Sequence, residues 1–361
     1  MNKNKYIKTI HKTIYKTIYK MDIEKKYNLI TKNLQEIIGK DKIKEILSMR
    51  NLKLYWGTAT TGRPHIGYLV PLVKIAFFLK AKCEVTILFA NMHAFLDSSK
   101  STWDQLEYRV QYYEMIITET LRALNVPIDK LKFVKGTDFQ LSKKYTIDVY
   151  KLMSKMSLRD ALKAGTEVVK QSKNPQISSL LYPGLQVLDE EYLGVDAQLG
   201  GIDQRKIFML AKKYLPQLGY KERIHLMNPI IPSFSNKTCK MSSSDISSKI
   251  DLLSTKKQII KKINKAYCVE GENNALLIFV KYVIFPIIEL REMEHWIIPR
   301  PILHGGELIF KSYDELNDDF LSKKLHPSDL KLGIHTFLNK LLFPVRKYFA
   351  DKGELIKSAY P

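Results

Sequence analysis

Residues 52–80 have the sequence LKLYWGTATTGRPHIGYLVPLVKIAFFLK, and this stretch decides the fold class of the chain. Its first six residues, LKLYWG, form a short apolar run that predicts a buried strand. A turn-rich loop, TATTGRP, follows, and the apolar residues after Pro64 predict a helix that starts at the proline. Strand, loop and helix in this order form the first half of a βαβ unit.

The same alternation continues along the chain. Further strands are predicted at 84–90, 131–136 and 195–201, and helices at 102–125, at 141–163 and from Gln204 onward. Repeated strand and helix units predict an α/β fold with a parallel, doubly wound sheet, which binds its ligands at the carboxyl ends of its strands.

Both flanks of this α/β region are predicted to be helical. Apolar residues at three- and four-residue spacing predict a lead-in over 24–50, with one helix through Ile38 and a second after Gly39. The residues after Ile250 are mostly helix-like, with a polar segment at 289–312. We expect these residues to form a second, mostly helical domain.

The composition limits the class of protein. The 361 residues are 45% hydrophobic and 26% charged, which excludes a largely disordered chain. The longest apolar run, 276–288, contains Lys281 and Pro286 and is too short to cross a membrane. The three cysteines are scattered without CxxC spacing, so neither a disulfide framework nor a zinc site is predicted. We therefore expect a cytoplasmic protein. Trp103 and Trp296 are expected to lie in its core.

The chain is strongly basic. Its 58 Lys and Arg residues exceed 37 Asp and Glu residues, which gives a formal net charge of +21, and six lysines without an acid lie in residues 1–20. A basic body is typical of proteins that hold phosphates, and its binding to nucleic acid would weaken as salt is added. Lys-rich usage also reflects genome composition and a solvated surface, and for residues 1–20 that interpretation is the stronger one.

The first candidate motif is Pro64-His65-Ile66-Gly67, which lies where a helix begins after a buried strand. Free backbone N–H groups and the positive end of the helix dipole favour a phosphate at such a place. Gly67 lets a flat ring approach the backbone, and His65 offers an N–H donor to an α-phosphate.

Two polar loops complete the pattern. Residues 240–244, KMSSS, place one Lys charge beside successive hydroxyls, which suits a leaving pyrophosphate. Residues 200–204, GGIDQ, follow a predicted strand, so the glycines permit close backbone approach and the acid can accept hydrogen bonds from ribose hydroxyls. Each motif is weak alone, but their order on an α/β pattern is hard to attribute to chance.

In this order the motifs resemble those of the class I aminoacyl-tRNA synthetases, with PHIGY (64–68) matching the HIGH motif and KMSSS matching the KMSKS motif. The likeness is greatest to the tyrosyl-tRNA synthetases of the eukaryotic and archaeal branch and runs from about Ile30 to Pro361. It includes the segments CEVTILFANMHAFLD, LLYPGLQVLDEEYLGVDAQLGGIDQRK, LMNPIIP and HPSDLK.

This resemblance implies a fold and a reaction. The fold is a Rossmann-type catalytic domain with its helical lead-in, 24–248, followed by a mostly helical anticodon-binding domain, 249–361, and the Lys-rich tail, 1–23, is expected to be disordered. The reaction is activation of L-tyrosine with ATP and Mg²⁺ to tyrosyl-adenylate, then transfer of the tyrosyl group to the 3′-terminal ribose of tRNA(Tyr). Members of the family are homodimers, and neither DNA nor a membrane is an expected partner.

Tyr182, Gln186 and Asp189 are spaced i, i+4 and i+7, so on a helix they share one face and can converge on a small polar ligand. An alternative is that Asp189-Glu190-Glu191 forms a solvated acidic face.

The resemblance assigns this helical face to the substrate tyrosine. It implies that Asp189 accepts a hydrogen bond from the phenol hydroxyl with the help of Tyr55. It also implies that Tyr182, Gln186 and Gln204 hold the ammonium and carboxylate end. Phenylalanine would leave the buried carboxylate unpaired, so this arrangement selects tyrosine and requires no editing domain.

The resemblance also assigns the nucleotide site, where catalysis needs positioning and charge stabilisation without a covalent enzyme intermediate. His65 is expected at the α-phosphate or ribose, Gly67 beneath adenine and Asp203 at the ribose. Lys240 is expected to bind the leaving phosphates on a mobile loop. The remaining catalytic and ATP-binding positions implied by the family are Gly57, Gly201, Met241, Ser242 and Ser243.

One position departs from the family pattern, because Ser243 stands where the KMSKS motif has its second lysine. One positive charge is therefore unaccounted for. We hypothesise that a monovalent cation such as K⁺, or Mg²⁺ alone, supplies it; no metal site made of protein ligands is expected.

The segment HPSDLK, 326–331, matches the part of the family that reads the anticodon. Asp329 is the predicted reader, because an Asp can accept from the Watson–Crick edge of guanine, and His304 aligns with an aromatic residue that stacks on the same base. An alternative interpretation is that Asp329 or Ser328 caps the last helix.

Three other functions compete with this one. A tryptophanyl-tRNA synthetase shares the architecture, but Asp189 and Tyr55 as phenol readers argue against it. A synthetase-like RNA-binding or signalling protein without activation activity is disfavoured because the residues for phosphate and ribose binding are all present: His65, Gly67, Lys240 and Asp203. A small nucleotidyltransferase with an HxGH motif fails on chain length and on the substrate helix.

Overall fold

The computed structural model describes residues 21–97, 101–128, 131–168, 174–234 and 249–361. The strands are β1 (Glu36–Ile38), β2 (Lys53–Thr58), β3 (Glu84–Phe89), β4 (Leu131–Lys135), β5 (Ala197–Gly201), β6 (Ile224–Asn228), β7 (Trp296–Ile298) and β8 (Leu308–Phe310). The first six form one sheet in the order β1-β6-β5-β2-β3-β4, and β7 pairs with β8.

Helices surround these strands. They are α1 (21–31), α2 (Asp41–Met49), α3 (Leu69–Lys80), α4 (Asn91–Leu96), α5 (Gln105–Ala123), α6 (Thr137–Gln140), α7 (Lys143–Met153), α8 (Leu158–Gly165), α9 (Ile177–Tyr192), α10 (Arg205–Tyr214), α11 (Lys256–Asn264), α12 (Ala275–Phe279), α13 (Phe285–Leu290), α14 (Tyr313–Leu321), α15 (Pro327–Tyr348) and α16 (Gly353–Ala359). Short 3₁₀ turns lie at Ile66–Tyr68, Ile202–Gln204, Pro216–Leu218 and Ile302–His304, and a π-helical turn lies at Val280–Ile284.

The strand order places the ligand site. From β2 the chain moves outward to β3 and β4 and then returns past β2 to β5 and β6, so the order reverses between β2 and β5. Neighbours among these five strands are parallel, whereas β1 is antiparallel to β6. Ligands of such sheets bind at the carboxyl ends of the strands that flank the reversal, here Thr58 and Gly201. The predicted parallel, doubly wound sheet of the Rossmann type is confirmed.

Burial on both faces explains why the central strands could be predicted from the sequence. Leu54, Tyr55 and Trp56 of β2 are all buried, although their side chains alternate between the two faces of the sheet. A parallel strand that is covered on both faces carries an apolar run without polar alternation. LKLYWG is such a run.

The lead-in is only partly helical. After α1, Asn33 has a left-handed φ of 60°, and β1 then pairs with the edge of β6. The predicted helix through Ile38 is therefore wrong over 32–38, because the apolar pair at 37–38 fits a strand as well as a helix and β6 offers an open edge. Gly39, with a φ of 78°, turns the chain into α2. Residues 21–23, which the sequence pattern assigned to the tail, are helical, and 1–20 lie outside the described residues.

Two strand features and one tryptophan also depart from the sequence pattern. β6 was not predicted, and the polar segment 289–312 contains the antiparallel pair β7 and β8, in which Trp296 is opposite Phe310. Trp296 is buried, as predicted. Trp103 is 50% exposed, so the core prediction for it is wrong. It lies in the turn before α5 and contacts the ring of Phe95 edge-on at 5.3 Å.

The C-terminal helices pack directly on the α/β part of the molecule. On α5, the ring of Tyr112 lies 5.5 Å from that of Phe349 and 5.4 Å from that of Tyr360. Arg109 Nε on the same helix donates to the carbonyl oxygen of Ala359 at 2.9 Å. In the part of the chain that the structure describes, we find no helix both long and apolar enough to cross a membrane.

Candidate active site

A cavity of about 570 Å³ opens at the reversal point between β2 and β5. Its walls come from β2, from the loop that follows β2, from α9 and from the end of β5. All ten predicted site residues of the catalytic part that the structure describes line it: Tyr55, Gly57, His65, Gly67, Tyr182, Gln186, Asp189, Gly201, Asp203 and Gln204. The four others, Lys240, Met241, Ser242 and Ser243, lie outside the described residues.

His65 stands at the start of a 3₁₀ turn, and α3 begins only at Leu69. The Nδ1 atom of His65 accepts from the backbone N–H of Gly67 at 3.1 Å. A neutral imidazole that accepts on Nδ1 carries its proton on Nε2. The turn therefore fixes His65 as an Nε2–H donor, which is the role that an α-phosphate requires.

The segment after the Lys240 motif holds the His65 turn in place. Ile66 N donates to Ile250 O at 2.9 Å, and Leu252 N donates to Pro64 O at 3.1 Å. A bridge of strand type joins His65 to Asp251. Residues 250–252 of this segment lie six to eight positions after the last residue of the Lys240 motif in the sequence, and the motif itself lies outside the described residues.

Helix α5 supports the loop between β2 and His65. Arg109 donates from Nη1 to the carbonyl oxygen of Thr61 at 2.7 Å, and the hydroxyl of Tyr113 donates to the carbonyl oxygen of Gly62. Thr61 and Gly62 both line the cavity. Buried carbonyl groups without a partner are costly, so these side chains stabilise a loop that cannot form a regular ladder.

Helix α9 confirms the predicted shared face. Tyr182, Gln186 and Asp189 lie on one helix and line the same cavity. Gln186 Nε2 donates to Gln204 Oε1 at 3.2 Å, which joins α9 to the loop after β5.

Asp189 is the most constrained carboxylate of the site. It is 1% exposed, and its Oδ1 accepts from Gln140 Nε2 at 2.7 Å and from the Tyr145 hydroxyl at 2.9 Å. Burial raises the pKa of Asp189 to about 7, although the two hydrogen bonds act in the opposite direction. The alternative of a solvated acidic face is wrong for Asp189 and Glu190, which are both buried, and only Glu191 is partly exposed.

Asp189 Oδ2 and the hydroxyl oxygen of Tyr55 are buried in this part of the cavity without a hydrogen-bond partner among the described residues. Gln198 Oε1, opposite Tyr55 on the neighbouring strand, is a third such atom. Burial, reinforced by the charge of Asp189, raises the pKa of Tyr55 well above its ordinary value, so the phenol keeps its proton. Buried polar atoms normally have partners, and a pair without them in a cavity indicates a polar ligand group.

Sequence reasoning missed the residues that hold Asp189. Gln140 and Tyr145 lie on α6 and at the start of α7, about 50 positions before Asp189 in the chain. His93 on α4 was also missed; its Nε2 lies 3.9 Å from Asp189 Oδ2, and its ring contacts that of Tyr182 at 4.6 Å. Burial lowers the pKa of His93 to about 4, so the ring is neutral and forms no ion pair at pH 7. No spacing rule connects residues on different elements, so only the fold identifies them.

The glycines after β5 make room for the polar residues beside them. A Cβ on Gly201 would lie 2.4 Å from Asp203 Oδ1, and one on Gly200 would lie 2.9 Å from Gln204 Cγ. Both approaches are closer than real Cβ contacts allow. The two glycines therefore let Asp203 and Gln204 fold back over the end of the strand and face the cavity.

The two predicted anticodon residues lie on a different surface. Arg300 Nη1 contacts Asp329 Oδ2 at 3.5 Å, and Arg300 Nε donates to Gly306 O at 3.0 Å, next to the exposed His304. We call this group (Arg300, His304, Gly306 and Asp329) the Arg300 surface. The cap of α15 is His326, whose Nδ1 accepts from Ser328 N at 3.2 Å. The alternative of a cap by Asp329 or Ser328 is therefore wrong, and Asp329 lies in the first turn.

In the described ranges, no group of three or more His, Cys, Asp or Glu side chains is arranged to hold a metal ion.

The sequence matches the family model of the class I tRNA synthetases (W and Y) over residues 47–343. It is 55% identical over 342 residues to the cytoplasmic tyrosine–tRNA ligase of Danio rerio, across 94% of this chain and 63% of that protein. It is 51% identical over 341 residues to the cytoplasmic tyrosine–tRNA ligase of Saccharomyces cerevisiae, across 92% of this chain and 86% of that protein. The chain thus spans less than two thirds of the Danio rerio relative.

The fold resembles that of the Archaeoglobus fulgidus tyrosyl-tRNA synthetase, which was solved in complex with L-tyrosine. The TM-score is 0.82 at 34% sequence identity, and the likeness covers 90% of this chain and 99% of that chain.

Proposed function

The chain belongs to the class I tRNA synthetases (W and Y), and on this basis we propose that it is a tyrosine–tRNA ligase of the cytoplasm. One observation supports tyrosine over tryptophan most strongly. Asp189 Oδ2 and the Tyr55 hydroxyl are buried without partners among the described residues, in a cavity that the His65 motif also lines. A carboxylate and a phenol can accept from and donate to a substrate hydroxyl, and tyrosine carries one.

The two groups discriminate by desolvation. When the substrate hydroxyl donates to Asp189 and accepts from Tyr55, both buried atoms gain partners. Phenylalanine would leave both unpaired, and each unpaired buried group costs about 1 to 3 kcal/mol. An indole N–H has a donor but no acceptor, so tryptophan could satisfy Asp189 and never Tyr55.

The other end of the substrate is assigned to Tyr182, Gln186 and Gln204. Gln186 and Gln204 are joined by a hydrogen bond, so they present a preformed pair of amides toward the ammonium and carboxylate groups. The carboxylate would then attack the α-phosphorus of ATP in line with the departing pyrophosphate. Positioning and charge stabilisation suffice for this step.

The nucleotide would occupy the open end of the cavity. His65 would donate from Nε2–H to the α-phosphate or ribose, Gly57 and Gly67 would lie under the base, and Gly201 would allow Asp203 to reach the ribose. Lys240, Met241, Ser242 and Ser243 would bind and release the leaving phosphates. Mg²⁺ would arrive with ATP. The K⁺ hypothesis for Ser243 predicts faster activation in K⁺ than in Na⁺, and equal rates would remove it.

Transfer to tRNA(Tyr) would use the region from 249 to 361, with Asp329 and His304 of the Arg300 surface at the anticodon. The net charge of +21 favours such a partner, and the Lys-rich residues 1–20 would add a nonspecific contact. A homodimer is supported by the strongly exposed apolar residues Tyr150, Leu158 and Ile177 on α7, α8 and α9.

Tyrosine-dependent exchange between ATP and pyrophosphate tests this function. We expect the wild-type protein to catalyse exchange with tyrosine alone among the 20 amino acids, and to charge tRNA(Tyr). Exchange with tryptophan would mean that the pocket assignment is wrong. No exchange with any amino acid would mean that the fold serves RNA binding without activation.

A further inference from the structure

A row of polar side chains crosses the sheet from the cavity to the strand behind it. Parallel pairing places Tyr55 of β2 opposite Gln198 of β5, and Gln198 opposite His225 of β6. Residues in register on neighbouring strands point to the same face of a sheet. All three are buried, with 1%, 3% and 1% of their surface exposed in that order.

Helix α9 covers this row with two consecutive acids. Asp189 acts electrostatically on Tyr55, and Glu190 Oε1 lies 2.8 Å from His225 Nε2. Asp189, Tyr55 and Gln198 line the cavity, whereas Glu190 and His225 lie behind it and do not. The cavity-facing acid and the sheet-facing acid are therefore neighbours on one helix, and the contact between Glu190 and His225 joins α9 to β6.

The imidazole of His225 is held in one orientation. Its ring stacks on that of Phe208 of α10, with the centroids 4.5 Å apart and the planes 11° from parallel. The tip of Phe208 in turn lies against Gly200, where an added Cβ would approach it to 2.7 Å. Stacking on Phe208 thus directs Nε2 of His225 toward Glu190, so the hydrogen bond alone does not have to hold the ring in this orientation.

Stability of the fold does not by itself explain the buried pair of Glu190 and His225. Glu190 Oε2 and His225 Nδ1 have no partner among the described residues, so each group is only half satisfied in a buried place. Apolar residues of the same volume would serve stability equally well or better. A hydrogen bond, however, constrains distance and direction, which an apolar contact does not.

Given the tyrosine specificity proposed above, on which this inference rests, we propose that the hydrogen bond between Glu190 and His225 positions Asp189 for recognition of the substrate phenol. It locks the rotation of α9 over the sheet, so that Asp189 Oδ2 and the Tyr55 hydroxyl converge on one point. Glu190 and His225 are positioning residues and do not touch the substrate. Without the lock, α9 retains its packing but Asp189 loses its fixed direction.

The test is a cycle of three variants, E190L, H225F and E190L/H225F, each assayed by tyrosine-dependent pyrophosphate exchange and by thermal unfolding. The single variants leave one buried polar group unpaired and should unfold at lower temperature. The double variant replaces both partners by apolar groups and keeps a ring against Phe208, so its unfolding temperature should return close to that of the wild type.

Recognition of tyrosine should remain impaired in the double variant, although its thermal stability is restored. In the double variant we expect the KM for tyrosine to rise about tenfold, with the KM for ATP within about twofold of the wild-type value, because a small misplacement of a recognition group lowers affinity steeply. The preference for tyrosine over phenylalanine should fall by a similar factor. A double variant with the wild-type KM and preference would overturn the proposal, since the pair would then be merely structural.

Two further variants sharpen the result. E191Q is the matched control, because Glu191 is the next acid on α9 and binds Arg223 at 2.6 Å at the partly exposed edge of the helix; its KM should not change. E190M keeps the length of the Glu190 side chain but has no oxygen to accept from His225, and it covers the case in which the double variant does not fold; a KM for tyrosine equal to the wild-type value would overturn the proposal. If the wild-type protein shows no tyrosine-dependent exchange, the proposed function itself fails, and this inference fails with it.

Discussion

The tyrosine end of the cavity and the Arg300 surface differ in how their polar atoms are satisfied. In the cavity, Asp189 Oδ2 and the Tyr55 hydroxyl are buried without partners among the described residues. On the Arg300 surface, Asp329 already contacts Arg300, and His304 is exposed to solvent.

This difference determines whether the ligand of each region can be inferred from the structure. A buried atom without a partner carries a free energy cost, so its presence indicates a ligand that removes the cost. An exposed or paired group has no such cost and gives no sign of its ligand. The substrate can therefore be argued from the cavity's geometry, whereas the anticodon role of Asp329 depends on the resemblance to the family.

The largest expected effect is that of Asp189→Ala. Removing the carboxylate takes away the phenol's acceptor and leaves Gln140 Nε2 without its acceptor, whereas the Tyr145 hydroxyl keeps the carbonyl oxygen of Leu185. We therefore expect kcat/KM for tyrosine in pyrophosphate exchange to fall about 100-fold. Glu191→Ala on the same helix should change it little. A variant that remains folded, as circular dichroism would show, and keeps its activity would break the link between buried unpaired atoms and the ligand.

Asp329→Ala should affect only the second step of the reaction, the transfer of the tyrosyl group to tRNA(Tyr). If Asp329 pairs with a base, kcat/KM for aminoacylation of tRNA(Tyr) should fall about 30-fold, while pyrophosphate exchange without tRNA stays constant. Ser328→Ala, one position earlier in the same turn, is the control. An equal loss in both assays would show that the substitution disturbs the structure of α15 and its contact with Arg300, and that Asp329 does not act by reading a base.

Gly201→Ala tests the nucleotide end of the cavity. The added Cβ meets Asp203 Oδ1 at 2.4 Å, so the Asp203 side chain must turn away from the ribose position. The KM for ATP should rise about tenfold, as expected for one lost hydrogen bond, and the KM for tyrosine should not change. Gly353→Ala, where a Cβ would meet nothing within 4 Å, should behave like the wild type. An unchanged KM for ATP in Gly201→Ala would remove Asp203 from the site.

The smallest expected effect is on pH dependence. Burial raises the pKa of Asp189 to about 7, and only its ionised form is a strong acceptor for the substrate phenol. The KM for tyrosine should therefore fall about fourfold from pH 6.5 to pH 8 as the carboxyl loses its proton. Asp189→Asn should abolish this slope, and a slope that persists in that variant would assign the titration to another group.

The same shift links Asp189 to stability in the absence of substrate. The folded protein keeps the proton that the unfolded chain releases at its ordinary pKa of about 4, so the contribution of Asp189 to the free energy of unfolding falls as the pH rises from about 4 to about 7. Thermal unfolding of the wild type and of Asp189→Asn over that range measures it.

The sequence predicted the parts of the molecule that are encoded locally. The apolar run at 52–57 predicted β2, and the helical spacing of Tyr182, Gln186 and Asp189 predicted the cavity-lining face of α9, because each signal lies within one element. The motifs at His65 and at 200–204 predicted which strand ends line the cavity.

What the sequence could not predict depends on contacts between distant segments. β1 is a strand because β6 leaves an edge open beside it, although residues 37–38 also fit a helix. Gln140 and Tyr145 support Asp189 from elements that the chain visits about 50 residues earlier. The cap of α15 is His326, and an imidazole in that position is outside the usual set of capping side chains.

The most direct test of the tyrosine assignment is a crystal structure of the protein grown with L-tyrosine. We predict that the phenol oxygen lies within hydrogen-bond distance of both Asp189 Oδ2 and the Tyr55 hydroxyl, with the ammonium group near Tyr182 and Gln186. A tyrosine bound with its phenol oxygen away from both atoms, or an empty cavity at saturating tyrosine, would contradict the assignment.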